Sequence, residues 1–192
     1  MRIIGGSERG RRLLSPKFKN LRPTQDQVRE ALFNILGESV VGAVFLDLFA
    51  GTGAVGIEAL SRGSRLAIFN DNNPQAIGLL QENISRSKFT EKAKWVLADA
   101  IAFIKKAKAI PPFNQAEIIF LDPPYDYPKH DRLFRELAKM PAQKLCILEH
   151  HAKLKLEAFP SYEHCDKRIY GETALSFLRV MAIAKPSISI SR

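Results

Sequence analysis

Leu46-Asp47-Leu48-Phe49-Ala50-Gly51-Thr52-Gly53-Ala54-Val55-Gly56 decides the fold. An apolar run closes on a glycine-rich turn, and helix-forming residues follow at once. Gly51, Gly53 and Gly56 match the G-x-G-x-x-G spacing, and Asp71 falls 20 residues after Gly51. In a strand–turn–helix unit this pattern lets the backbone approach a ligand, and the later acid can hold ribose hydroxyls. A glycine turn that binds nothing is the plainer alternative.

Outward from this turn, β and α patterns alternate from Ala43. Apolar runs predict strands over 43–48, 65–70, 93–97, 116–121 and 143–149. Amphipathic spacing predicts helices over 53–62, 73–87, 99–108 and 129–139. Alternation with near-continuous apolar strands implies a parallel sheet covered on both faces. The runs 162–170 and 174–181, joined through Gly171-Glu172-Thr173, predict an antiparallel hairpin completing an α/β sheet of seven strands.

Upstream, residues 1–23 read as a small basic β-hairpin or arm, with Ile3-Ile4 and Leu13-Leu14 flanking a Gly- and Arg-rich turn. A helix is expected from Pro23-Thr24, with Thr24 as cap, Gln27 at the capping-box position, Asp26 in the first turn and Gly37 as the stop. The main domain is then 24–184, and the Ser-rich residues 185–192 read as a frayed tail.

The 192 residues suit one domain with a small extension, and 46% hydrophobic with 26% charged residues is ordinary for a soluble protein. No apolar stretch reaches the roughly 20 residues needed to span a bilayer. The opening Met1-Arg2-Ile3-Ile4-Gly5-Gly6 lacks the apolar segment of a signal peptide. Cys146 and Cys165 are too few for a disulfide framework, so a reducing cytoplasm is expected. The net charge of +9 is less ordinary. Arg2, Arg9, Arg11, Arg12, Lys17, Lys19, Arg22 and Arg29 crowd the first 29 residues against Glu8 and Asp26. Such clustering favours a polyanionic partner, since each cation facing a phosphate releases counterions.

Two details favour S-adenosylmethionine (AdoMet) over NAD at the glycine turn. Asp47 lies at the strand end, four residues before Gly51, where its carboxylate can reach a cationic ammonium and would repel a pyrophosphate. Asp99, in Leu97-Ala98-Asp99-Ala100, can accept from an adenine amino group, while Asp71 with Asn72 beside it suits the ribose. Phe49, Ala50, Gly51, Thr52 and Gly53 would form the cradle, with Ala100 beside Asp99. Each acid alone also reads as a helix N-cap. Three at successive strand ends beside a glycine loop make that combined reading the weaker one.

A second motif closes the fourth apolar run: Ile118-Ile119-Phe120-Leu121-Asp122-Pro123-Pro124-Tyr125. Proline lacks an N–H and fixes φ, so two in succession must end a central strand. Asp122 and the Pro123 carbonyl can accept the two N–H hydrogens of an exocyclic amine and turn its lone pair toward a methyl donor. Pro124 stiffens the turn, and Tyr125 can stack on a base drawn out of its helix. The alternative is a Pro-rich turn with Tyr125 as surface packing.

These motifs, with Arg2-Ile3-Ile4-Gly5-Gly6, Gly10-Arg11-Arg12-Leu13, Arg22-Pro23-Thr24, Val28 to Leu36, Gly56 to Gly63 and Tyr170-Gly171-Glu172-Thr173, resemble the RsmD family of bacterial 16S ribosomal-RNA guanine-N2 methyltransferases. The resemblance runs from Met1 to about Val180. The glycine loop and DPPY are shared with many amino methyltransferases, whereas Arg-Pro-Thr and Tyr-Gly-x-Thr narrow the match. It implies a class I AdoMet-dependent, Rossmann-like fold and S-adenosylhomocysteine as product. It also implies 16S rRNA or the assembling small subunit as partner, a monomer, and no metal or membrane. Asp47, Gly51, Gly53, Asp71 and Asp99 fall to AdoMet, Asp122 to Tyr125 to the target base, and Arg2, Arg9, Arg11, Arg12 and Arg22 to RNA. Asn70 departs from the apolar residue usual before the acid and is the lesser candidate for the ribose. A DNA adenine-N6 methyltransferase, an NAD-linked oxidoreductase and a non-catalytic RNA-binding assembly factor are the rival functions.

Other residues read more plainly. Cys146 belongs in the core, Trp95 beside the third strand, and Lys105, Lys106 and Lys108 on a solvated helix face. His150-His151 line the substrate edge of the sheet, and Arg168 and Tyr170 divide between hairpin packing and contact with the base.

Overall fold

A computed structural model describes residues 1–15, 26–124, 127–141, 145–154 and 161–181. Seven strands form one sheet in the order β3-β2-β1-β4-β5-β7-β6. They are β1 (Val44–Leu48), β2 (Leu66–Asp71), β3 (Ala93–Leu97), β4 (Ile118–Leu121), β5 (Leu145–His151), β6 (Tyr162–Tyr170) and β7 (Thr173–Val180). The first five run parallel, and β7 pairs antiparallel with both β5 and β6. The helices are α1 (Asp26–Leu36), α2 (Ala54–Ser61), α3 (Pro74–Arg86), α4 (Ala100–Ala107) and α5 (His130–Leu137). The expected elements are all present within two residues or so at their ends. The expected start of α1 at Pro23-Thr24 lies outside the described residues, as does the tail 185–192.

Strand composition explains the layering. β1 and β4 are buried at every position, which a sheet covered on both faces requires. Leu46, Leu48, Ile119, Leu121 and Cys146 pack against α4 and α5 on one face. Phe45, Phe120 and Ile147 pack against α1 on the other, where α2 and α3 cover Ala67 and Phe69. β3 departs from the expected cover. It is an edge strand, and Lys94, Trp95 and Leu97 are exposed on it.

The chain order places the ligand edge. β1 is flanked by β2 on one side and β4 on the other, so the connections diverge there. Such a reversal opens a crevice at the carboxyl ends of the two strands. The glycine turn leaves β1 and the Asp-Pro-Pro segment leaves β4 into that crevice.

Residues 1–13 of the basic N-terminal segment form a hairpin that is bolted to the domain, while 16–23 of the expected arm lie outside the described residues. Arg2 bridges Arg12, the Ile3 amide donates to the Arg11 carbonyl at 2.9 Å, and the Leu13 amide donates to the Met1 carbonyl at 3.1 Å. Ile3 and Leu13 are buried among Ile57, Leu60, Leu80 and Ile84. Glu58, fully buried in α2, accepts from the Ile4 and Gly5 amides at 2.7 Å each and from Arg62 Nε at 2.8 Å. A buried carboxylate costs several kcal/mol unless its lone pairs are filled. Here the hairpin backbone fills them. Buried Arg29 adds a second fastening, donating from Nη2 to the Arg2 carbonyl at 2.5 Å and to Asp26 at 3.0 Å. Desolvation lowers its pKa, opposed by Asp26 and Glu58.

Candidate active site at the switch point

The glycine turn is shaped by two steric demands. Gly53 caps α2 at φ 77°, where a side chain is strained and a Cβ would lie 2.1 Å from Leu80 Cδ1. At Gly56 a Cβ would meet Phe69 at 2.3 Å, so its absence lets α2 lie close on β2. Phe49 also has positive φ, 62°, which is uncommon for a non-glycine residue and marks a backbone held by its surroundings. Its ring meets Tyr127 edge-on at 5.2 Å, linking the end of β1 to the segment after β4.

Two of the predicted acids hold this turn from either side. The Gly56 amide donates to Asp47 Oδ2 at 2.9 Å, and the Gly51 amide donates to Asp71 Oδ2 at 2.8 Å. Asp71 Oδ1 also accepts from the Asn73 amide at 2.8 Å. Neither acid is a helix cap, because Gly53 and Asn73 take those positions. Asp99 is different. It caps α4, accepting from the Ala102 amide at 3.0 Å with Oδ1. One oxygen therefore does the plain work, and the residue still stands exposed at the end of β3 beside buried Ala100.

Asp47 is 2% exposed, and its pKa is raised to about 8. Desolvation is the main cause, with the charges of Asp71 and Glu149 adding to it and the Gly56 hydrogen bond opposing it. A carboxylate in that state gains most from a cationic group. Tyr127 offers a second group: its hydroxyl is buried without a hydrogen-bond partner among the described residues. Burial raises its pKa, Asp99 raises it further, and Arg132 opposes both. A cation receptor and an orphaned hydroxyl near Asp99 fit a ligand carrying an ammonium at one end and polar ring edges at the other.

Asn70 has its amide nitrogen committed and its Oδ1 buried without a partner among the described residues. It is buried, and its Nδ2 donates to the Val96 and Ala98 carbonyls at 3.1 and 3.0 Å, pinning β3 to β2. Thr52 and Ala50 are buried in the turn, and Asn72 is exposed after Asp71. Tyr127 and Asn83 stand at this site, and the sequence reading singled out neither. Asn83 had a signal: a polar residue at the apolar spacing of Ala76, Leu80 and Ile84 in α3.

At β4, the Asp122 amide donates to the Leu48 carbonyl at 3.4 Å, extending the β1–β4 ladder by one rung. Pro123 is buried, and exposed Pro124 accepts from the Tyr127 amide through its carbonyl at 2.9 Å. Tyr125 lies outside the described residues, as do Arg22, Lys17 and Lys19. His150 and His151, expected on the substrate edge of the sheet, join Pro123 and Pro124 around a small cavity. Cys146 is in the core, and burial pushes its thiol pKa well up.

The basic hairpin is unequal in its charges. Arg2, Arg9 and Arg12 are exposed. Arg11 is engaged, with Nε on Glu8 and Nη1 donating to the Arg86 carbonyl at 2.7 Å. Lys108 pairs loosely with Glu136 at 3.7 Å, in line with a solvated helix face. Arg168 pairs with Asp166 at 2.8 Å, and Tyr170 packs against the α1 side of the core. Among the described residues, no helix is long and apolar enough to cross a membrane, and no His, Cys, Asp or Glu group could hold a metal ion.

Known proteins share this arrangement. The family model described as conserved hypothetical protein 95 matches residues 1–179. The Bacillus subtilis rRNA methyltransferase candidate YlbH is 35% identical over 184 residues, covering 93% of this chain and 98% of that protein. Ribosomal RNA small subunit methyltransferase D of Escherichia coli is 42% identical over 125 residues, 65% of this chain and 60% of that one. Among solved structures, the E. coli methyltransferase candidate yhhF superposes with a TM-score of 0.81 at 30% identity, covering 95% of this chain and 98% of that one.

Proposed function

The chain belongs to the conserved hypothetical protein 95 family, and from that premise we propose that it methylates ribosomal RNA, transferring a methyl group from AdoMet to the exocyclic N2 amine of a guanine in 16S rRNA during small-subunit assembly. The observation that carries this reading is the switch-point crevice, where the glycine turn with Asp47 leaves β1 beside Asp122-Pro123-Pro124 leaving β4.

AdoMet supplies a methyl carried on a positively charged sulfur. Asp47 would hold its cationic end, and the Gly51–Gly53 turn its middle. Asp71 would take the ribose hydroxyls, and Asp99 with Tyr127 the adenine edge. The amine is a poor nucleophile because its lone pair is delocalised into the ring. Asp122 and the Pro123 carbonyl accept its two hydrogens, fixing its orientation and turning the lone pair out of conjugation. The proton becomes acidic only once a fourth bond to nitrogen has formed, and Asp122 is then the adjacent acceptor. Arg2, Arg9 and Arg12 supply exposed cations for the phosphates of the rRNA or the assembling subunit.

The test is to incubate the protein with methyl-tritiated AdoMet and small-subunit RNA or particles from cells lacking the enzyme, then map the label. N2-methylguanine at a single position is the expected result. Label on adenine, or none, would overturn the reading. Asp122→Ala should abolish transfer with AdoMet affinity nearly unchanged; equal loss of both would remove Asp122 from the base site.

A further inference from the structure

β5 lies next to β4 in parallel, with Leu121 paired to Leu148. One residue further along come Asp122 and Glu149, neighbours where β4 ends while β5 runs on to His151 beside β7. Residues two apart share a face, so Glu149 follows Ile147 onto the side of Phe120 and Asp47. Glu149 is 7% exposed, and its charge is felt at Asp47. With Pro123, Pro124, His130, His150 and His151 it lines a cavity of about 30 Å³. That space takes a water molecule or the edge of a ring, and excludes a whole base.

The neighbouring histidine is locked. His150 is 3% exposed, its Nδ1 lies 2.9 Å from the His151 carbonyl, and its Nε2 lies 2.9 Å from Ser176 Oγ. A carbonyl only accepts, so Nδ1 carries the proton and Nε2 accepts from the serine hydroxyl. Burial lowers the pKa of His150, which keeps the ring neutral. By the same alternation His150 lies on the opposite face of β5 from Glu149, so the strand offers a fixed, uncharged ring on one face and a carboxylate on the other.

The chemistry of the bases gives that carboxylate a use. In guanine the N2 amine adjoins N1–H, a donor. In adenine the N6 amine adjoins bare N1, an acceptor. An amine gripped at Asp122 and Pro123 presents its neighbouring ring position to the next strand. We propose that Glu149 determines base specificity by accepting the N1–H of the target guanine while Asp122 and the Pro123 carbonyl hold its N2 amine. At the same place the carboxylate meets the bare N1 of adenine lone pair to lone pair, a strongly disfavoured contact in a desolvated site.

This inference rests on the guanine reading above, and the experiment separates the two. RNA substrates carry guanine or 2-aminopurine at the mapped position; the second keeps the amine but has an acceptor at N1. Wild-type protein should methylate the 2-aminopurine RNA at least about 100-fold less efficiently in kcat/KM. Glu149→Gln keeps the shape and can donate to the acceptor, so its preference should fall to within about tenfold. Because both substrates meet one enzyme sample, the ratio is independent of the fraction folded. Equal efficiency of the wild type on both RNAs, or an unchanged ratio in Glu149→Gln, overturns the inference. Absence of N2-methylguanine from the guanine RNA with wild-type protein would instead overturn the guanine reading itself.

Discussion

Asn83 donates from Nδ2 to the Thr52 carbonyl at 3.0 Å, reaching from α3 into the glycine turn. The same amide accepts from the Leu14 N–H at 2.7 Å and donates to the Leu14 carbonyl at 3.3 Å. One fully buried side chain thus ties the basic hairpin to the cofactor turn.

Asn83→Leu preserves the volume but strips three backbone groups of their partner. Each unsatisfied buried group costs about 1–3 kcal/mol, so a loss of about 3 kcal/mol in urea denaturation is expected. AdoMet affinity should weaken as well, since the Thr52 peptide loses its anchor. A change under about 1 kcal/mol would show that water replaces the amide at no cost.

Asp47 should make stability fall as pH rises. Its folded pKa of about 8 stands above the ordinary carboxylate value of 3.8, so the folded protein holds a proton that the unfolded chain has released. The stabilising contribution is full below the unfolded value and is lost as pH climbs toward about 8. Asp47→Asn keeps an acceptor for the Gly56 amide and removes the titration. Denaturation between pH 5 and 9 should show the wild type losing stability relative to the variant. Parallel curves would contradict a buried, protonated Asp47.

Tyr127→Phe removes a buried hydroxyl that has no partner among the described residues. Without ligand the variant should be as stable as the wild type or up to about 1 kcal/mol more so. AdoMet binding should nonetheless weaken several-fold, measured by calorimetry, if the hydroxyl's partner is the bound ligand as proposed. Unchanged affinity would show that Tyr127 serves only its ring contacts with Phe49 and His130.

Charge reversal at Arg9 and Arg12 should weaken RNA binding and flatten its dependence on salt by about one to two units of log–log slope. Fluorescence titration across a salt series gives that slope. Arg11 is the wrong target, because it holds Glu8 and the Arg86 carbonyl and its loss would disturb the hairpin itself. An unchanged slope would place the RNA elsewhere.

The strands were legible because β1, β2, β4 and β5 sit inside a sheet covered on both faces and so are continuously apolar. Trp95 was not legible as an exposed residue. Its exposure follows from β3 being the sheet edge, which strand order decides and local pattern does not. The acids were found by their positions at strand ends, and Asp99 takes the helix-cap role the sequence also offered, whereas the hold of Asp47 and Asp71 on amides of the glycine turn was hidden. Glu58 reads as an ordinary helix-surface glutamate until the hairpin, more than 50 residues earlier, is laid over it. Asn70, the lesser candidate beside Asp71, spends its Nδ2 on the Val96 and Ala98 carbonyls, a pairing that only the β2–β3 register reveals.

The fastenings of the hairpin also set an order of events during synthesis. The basic segment leaves the ribosome well before Glu58, Ser61 and Asn83, the residues that give it a fixed shape, with separations of 53 to 69 residues. Until α3 has emerged, those arginines travel on a chain whose distant fastenings cannot yet close, so the hairpin takes its fixed shape only after about half of the domain has been made.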